Sequence, residues 1–129
     1  MNSNYKPLGY NSVSPYFIVE GAQKFIDLMK QIFIVKELRR FDRQDGSIMH
    51  AEIQIDDSVI MLSDASASFP PVPMVMHVYV PDVDKTFDKA IGAGCEAIES
   101  PREQKDDPDR RGTFKDFSGN MWSVGTRRV

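Results

Sequence analysis

Val75-Met76-His77-Val78-Tyr79-Val80-Pro81-Asp82-Val83 decides the fold. Its first six residues are rich in β-branched and aromatic side chains, as a strand requires. Pro81 ends the strand, and Asp82 suits the cap of a helix, where its carboxylate accepts from free backbone N–H groups. Val83, Phe87, Ala90 and Ile91 then recur at helical spacing until Gly94 closes the element. An earlier stretch has the same form. Ser14-Pro15-Tyr16-Phe17-Ile18-Val19 precedes a helical face of Ala22, Phe25, Ile26, Met29, Ile32 and Phe33. Matching Val19 to Val80 sets a shift of 61 positions, which also takes Ala22 to Val83, Ile26 to Phe87, Ile53 to Phe114, Ser58 to Gly119 and Ile60 to Met121. A shift kept through strand, helix and hairpin marks an internal repeat.

The rest of each copy reads alike. Short strands are expected at 35–41 and 95–100, followed by a loop at 42–47, where Asp45-Gly46 signals a turn, and by a longer charged loop at 102–112. Residues 48–55 alternate apolar and polar, as in a half-buried strand, and turn through 56–58 into a strand at 59–63. Residues 113–115, a turn at 116–119 and a strand at 121–126 match them. Pro70, Pro71 and Pro73 make 65–73 a linker, because three prolines in four positions continue neither helix nor strand. The expected fold is α+β: two tandem βαβββ modules forming a curved, cavity-enclosing mixed β-sheet. One domain spans 1–129, with module one at about 12–64 and module two at about 74–127. Two twisted sheets, each with a helix on one face, are expected to curve around a shared hollow, a natural place for a ligand.

Composition narrows the function. With 41% hydrophobic and 27% charged residues the chain is globular rather than disordered. Its 16 basic against 19 acidic side chains provide no general basic face for nucleic acid. No apolar run approaches the roughly 20 residues that cross a bilayer, and residues 1–10 lack the apolar stretch of a secretion signal. A single cysteine, Cys95, fits a reducing compartment, so a cytoplasmic protein that contacts neither membrane nor nucleic acid is expected.

Six segments stand out in order: Ser14-Pro15-Tyr16, His50-Ala51-Glu52-Ile53, residues 57–64, His77 to Asp84, Gly112-Thr113-Phe114-Lys115-Asp116 and Gly119-Asn120-Met121-Trp122-Ser123. Together they resemble the vicinal oxygen chelate superfamily, which holds glyoxalase I, bleomycin-resistance proteins and extradiol dioxygenases, and within it the PhnB-like, glyoxalase-related branch. The resemblance implies a divalent metal held by one side chain from the first and last strand of each module. Projected here, those positions are Ser14, Leu62, Val75 and Ser123, none of which is His, Glu or Asp. The expectation is therefore a protein without the usual metal. The resemblance also implies a homodimer that shelters the cavity.

Strand alternation gives the candidate residues. It puts Tyr16 in the first strand, His50 and Glu52 in the third, His77 and Tyr79 in the fifth, and Met121 and Ser123 in the last on the face opposite the helices. His77 and Glu52 are the candidate catalytic residues, the imidazole because its ordinary pKa near ~6.5 suits a base. Tyr16, His50, Tyr79, Arg111, Met121 and Ser123 are candidate ligand contacts. Arg110 or Arg111, in the charged loop, could clasp an anion. Trp122 falls on the helix side and reads as core, and Cys95 reads as buried and inert. Three functions stay open: a small-molecule-binding protein; an enzyme using His77 and Glu52 as an acid–base pair or a shifted metal site of His50, His77 and Glu52; and a regulatory or scaffold module.

Overall fold

The computed structural model describes residues 4–129, so Met1 to Ser3 of the polar N-terminal stretch lie outside the described residues. Module one runs β1 (Tyr16–Val19), α1 (Ala22–Ile32), β2 (Val35–Asp42), β3 (Ile48–Ile55) and β4 (Ser58–Asp64). Module two runs β5 (Val75–Tyr79), α2 (Val83–Gly92), β6 (Glu96–Glu103), β7 (Asp109–Lys115) and β8 (Met121–Arg127). Each forms a four-stranded mixed sheet, ordered β1-β4-β3-β2 and β5-β8-β7-β6, whose first strand joins its last in parallel. This is the tandem βαβββ plan. Among the described residues, no helix is long and apolar enough to cross a membrane.

The two helices start differently. Asp82 caps α2 locally, its carboxylate accepting from Lys85 N–H. No side chain at the start of α1 does this. Instead Asp64, at the end of β4, accepts from the Gly21 and Ala22 N–H groups with Oδ1 and from Ile48 N–H with Oδ2. One carboxylate thus binds the helix start to its own sheet. Gly94 ends α2 with φ near 102°, a conformation that favours glycine.

The modules share one core on the helix-bearing back faces of their sheets. Trp122 on β8 stacks on Phe17 of β1 at 5.6 Å and also meets Phe25 and Phe33 of the α1 region. The front faces take the alternate residues. Phe17 and Val19 are buried while Tyr16 is 39% exposed, and Tyr79 is 61% exposed.

Two expectations need correction. The charged stretch 102–112 is mostly sheet, with β6 running to Glu103 and β7 starting at Asp109. Its pattern lacks apolar alternation because ion pairs occupy both faces: Arg110 grips Asp84 of α2 through two hydrogen bonds, and Arg111 meets Asp107 and Asp109. The repeat shift also grows by one residue in the last strand. Tyr16 pairs with Met61, whereas His77 pairs with Ser123, a shift of 62. The front-face counterpart of Ser123 is therefore Met61, and Leu62 points into the core, fully buried. One extra residue in the β7–β8 turn produces the slip.

Candidate functional site: two polar networks on the front faces

On the first sheet, Glu52 is only 4% exposed yet fully partnered. Its Oε1 accepts from the Tyr10 hydroxyl and its Oε2 from His50 Nε2–H at 2.8 Å. Arg39 lies 3.7 Å from the carboxylate and stacks over the Tyr10 ring. Burial opposes the charge on Glu52. The Tyr10 and His50 hydrogen bonds, with the charges of His50 and Arg39, outweigh it and hold the carboxyl below its ordinary pKa. An ionised Glu52 only accepts, so His50 donates from Nε2. When the imidazole is neutral, and so adds a hydrogen bond but no charge to Glu52, Nδ1 is free to accept from the Tyr16 hydroxyl, 2.9 Å away. Tyr16, His50 and Glu52 form a chain in which a buried carboxylate orients an imidazole and the imidazole addresses a phenol. That geometry allows His50 to take a proton from a group beside Tyr16.

The second sheet carries a counterpart. Arg111 donates to His77 Nε2 at 2.9 Å, to Asp107 Oδ2 and to Asp109 Oδ2, while the Tyr79 hydroxyl donates to the same Asp109 oxygen at 2.8 Å. A guanidinium has no lone pair to offer, so His77 Nε2 is the acceptor and its proton sits on Nδ1. Desolvation of the ring, then the charge of Arg111, hold His77 below the ordinary 6.5. Gly125 makes this approach possible, since a Cβ there would lie 3.2 Å from His77 Nε2. The Tyr16–His50 contact and the His77–Arg111 contact occupy matching places in the two modules.

Unfolded chains bind more protons at His77 than folded ones once the pH drops below 6.5, so the stability this site contributes above that pH is lost as the pH falls. His77→Gln is expected to flatten the fall in melting temperature between about pH 6.5 and 5. A slope unchanged from the parent protein contradicts the neutral His77.

The structure sorts the sequence-derived candidates into two groups. Tyr16, His50 and Glu52 meet on one sheet. His77, Tyr79 and Arg111 meet on the other, with Ser123 paired to His77 and Met121 to Val75 along β8. Among the described residues no hydrogen bond or ion pair links the two groups: Glu52 bonds His50, and His77 bonds Arg111. His50 is held at both nitrogens. No group of three or more His, Cys, Asp or Glu among the described residues converges on a point that could hold a metal, so His50, His77 and Glu52 do not assemble a shifted site. The anion clasp considered for Arg110 and Arg111 is taken by Asp84, Asp107 and Asp109. Trp122 is core, at 1% exposure. Cys95 is buried, and desolvation, with Asp116 nearby, pushes its thiol to about 11, which leaves it unreactive near neutrality.

Sequence reasoning missed Tyr10, Arg39 and Asp109. Tyr10 precedes any patterned element. Arg39 reaches Glu52 from a register irregularity in β2, which strand alternation does not foresee. Asp109 was hidden in the stretch taken for a loop. A cleft also lies between the modules away from most of these candidates. It measures ≈ 1020 Å³ and is walled by residues 32–36 and 54–56 on one side, and by residues 78–82 with Lys85, Thr86, Lys89 and Arg127 on the other. Of the candidates, only Tyr79 lines it.

Residues 11–124 match the sequence profile of the glyoxalase/bleomycin resistance protein/dioxygenase superfamily. The chain belongs to this superfamily. Among relatives of the superfamily fold, the uncharacterized protein Rv0887c of Mycobacterium tuberculosis is 30% identical over 125 residues, covering 88% of this chain and 73% of its own length. A PhnB protein from Bacillus cereus superposes with a TM-score of 0.71 at 13% identity, over 90% of this chain and 99% of its own. TnmS3, an antibiotic-binding protein from Streptomyces sp. CB03234, superposes at 0.69 with 17% identity, over 92% and 100%. At such identities the glyoxalase-type fold is what these structures share with the chain.

Proposed function

We propose that this superfamily member binds a small molecule on the front face of module one, in a cavity that a second copy of the chain closes. The observation carrying this reading is the Tyr16–His50–Glu52 chain, backed by Tyr10 and Arg39. A buried carboxylate with several partners costs folding free energy unless every partner is met; here it holds an imidazole and a phenol toward an open sheet face. Tyr16 and Phe41 offer aromatic surface beside them. Exposed Tyr16, Phe41, Val75 and Tyr79 on the two front faces support closure by a homodimer, since apolar surface of this kind marks contact sites. The binding activity named for TnmS3 supports the same reading.

The residues do not suit the metal that the family resemblance implies. Ser14, Val75 and Ser123 offer neither imidazole nor carboxylate, Leu62 is buried in the core, and Met61, which takes its place on the front face, provides only a thioether. A second reading, supported by the orientation of His50, is that the bound molecule loses a proton to the Tyr16 oxygen as the Tyr16 hydroxyl gives its own to His50 Nδ1, which would make the protein an acid–base enzyme.

A thermal-shift screen with benzoates, phosphonates and glycopeptide antibiotics tests the binding reading. At least one class is expected to raise the melting temperature of the parent protein, because a ligand of the native state must do so, and His50→Ala is expected to abolish that rise. Silence from every class, or an equal rise in His50→Ala, counts against it.

A further inference from the structure

The cleft between the modules has a charge balance unlike the chain as a whole. Its walls carry four cations, Lys36, Lys85, Lys89 and Arg127, against two carboxylates, Asp56 and Asp82, in a chain with 19 acidic and 16 basic side chains. None of the four cations joins an ion pair among the described residues. Asp82 is already engaged as the cap of α2. Between the cations the walls are apolar: Phe33, Ile34, Val35 and Ile55 from module one, and Val78 and Val80 from module two. Ile34 is 93% exposed at the lip. Lys85 and Lys89 stand one helical turn apart on α2 and so address the same side.

We infer that this cleft is a second binding site, meeting the front-face networks only at Tyr79, for an amphipathic anion with an aliphatic tail. Three features support that class. At ≈ 1020 Å³ the cleft reaches the upper end of small-molecule pockets. Its apolar strip would take the tail. Its unmatched lysines and arginine attract a carboxylate or phosphate, and a neutral or cationic head would leave them unsatisfied. Because each module provides one wall, the occupant would bridge the two halves of the chain. A second copy of this chain is the less suitable occupant, since it brings no aliphatic anion and its own charges are mixed.

Decanoate, below its micelle concentration, is the probe. Calorimetric titration of the full chain is expected to show one decanoate per chain, bound about tenfold or more tighter than decan-1-ol or decyltrimethylammonium. Lys85→Glu/Lys89→Glu is expected to weaken decanoate by about tenfold, and Ile34→Asp is expected to weaken all three probes, with melting temperatures near that of the parent. The front-face variant His50→Ala is expected to bind decanoate as the parent does. Equal affinity for the three head groups overturns the inference, as does undiminished binding by the double variant, or a dimer in light scattering whose formation excludes decanoate.

Discussion

Trp122→Ala is expected to remove about 3–5 kcal/mol of stability, the range for deleting a large buried aromatic side chain. Trp122 is where module two enters module one. Its ring lies parallel to Phe17 of β1 (interplanar angle 6°) and to Phe114 of its own sheet (13°), with Phe25 and Phe33 tilted against it. Truncation leaves a cavity lined by four phenylalanines from both modules, and rings fixed by two sheets and a helix cannot collapse into it. Urea unfolding followed by far-UV circular dichroism measures the loss, since Trp122 is the chain's only tryptophan and its fluorescence disappears with it. Trp122→Phe is expected to fall between the parent and the alanine variant: it keeps a ring but no indole N–H. A loss under about 1 kcal/mol in the alanine variant contradicts a core shared between modules.

Asp116→Ala has the next largest expected effect, about 3 kcal/mol or more, because four donors lose their acceptor. The carboxylate is 4% exposed and organises the β7–β8 turn: Oδ1 accepts from the Ser118 and Asn120 N–H groups, and Oδ2 from Asn120 Nδ2 and Trp122 Nε1. Asn120 in turn accepts from Met74 N–H at the start of module two. One side chain therefore fixes a turn, the orientation of the central tryptophan and the end of the linker. Asp116→Asn is expected to recover part of the loss, because one amide oxygen replaces two carboxylate oxygens. Thermal unfolding of the three proteins distinguishes this order; alanine and parent proteins melting together contradicts it.

The helices, the strand faces and the repeat could be read in the sequence because burial is periodic there. Phe17, Val19, Ile53 and Trp122 lie on the back faces that their alternation requires. Pairing by charge has no comparable period. Asp109, Arg110 and Arg111 read as a loop since they are held by charge and hydrogen bonds, Arg110 by Asp84 of α2, Asp109 by Arg111 and the Tyr79 hydroxyl, and none of these leaves an apolar alternation. Leu62 falls one position off because the extra residue in the β7–β8 turn makes Met61, not Leu62, the match of Ser123, and a slip of one residue exchanges the two faces of a strand. Within the site, His50 and Glu52 were found together by alternation alone. Tyr10, which lies 42 residues before Glu52, depends on tertiary contact.

The measurement that most directly tests the front-face site is the ¹⁵N imidazole spectrum of the protein with and without the compound that most raises its melting temperature. The free protein is predicted to show His50 protonated at Nε2 and His77 at Nδ1, and the compound is predicted to move the His50 Nδ1 resonance. A free His50 protonated at Nδ1, or His50 resonances that stay in place at saturation, would contradict a ligand site built on an imidazole that Glu52 orients toward Tyr16.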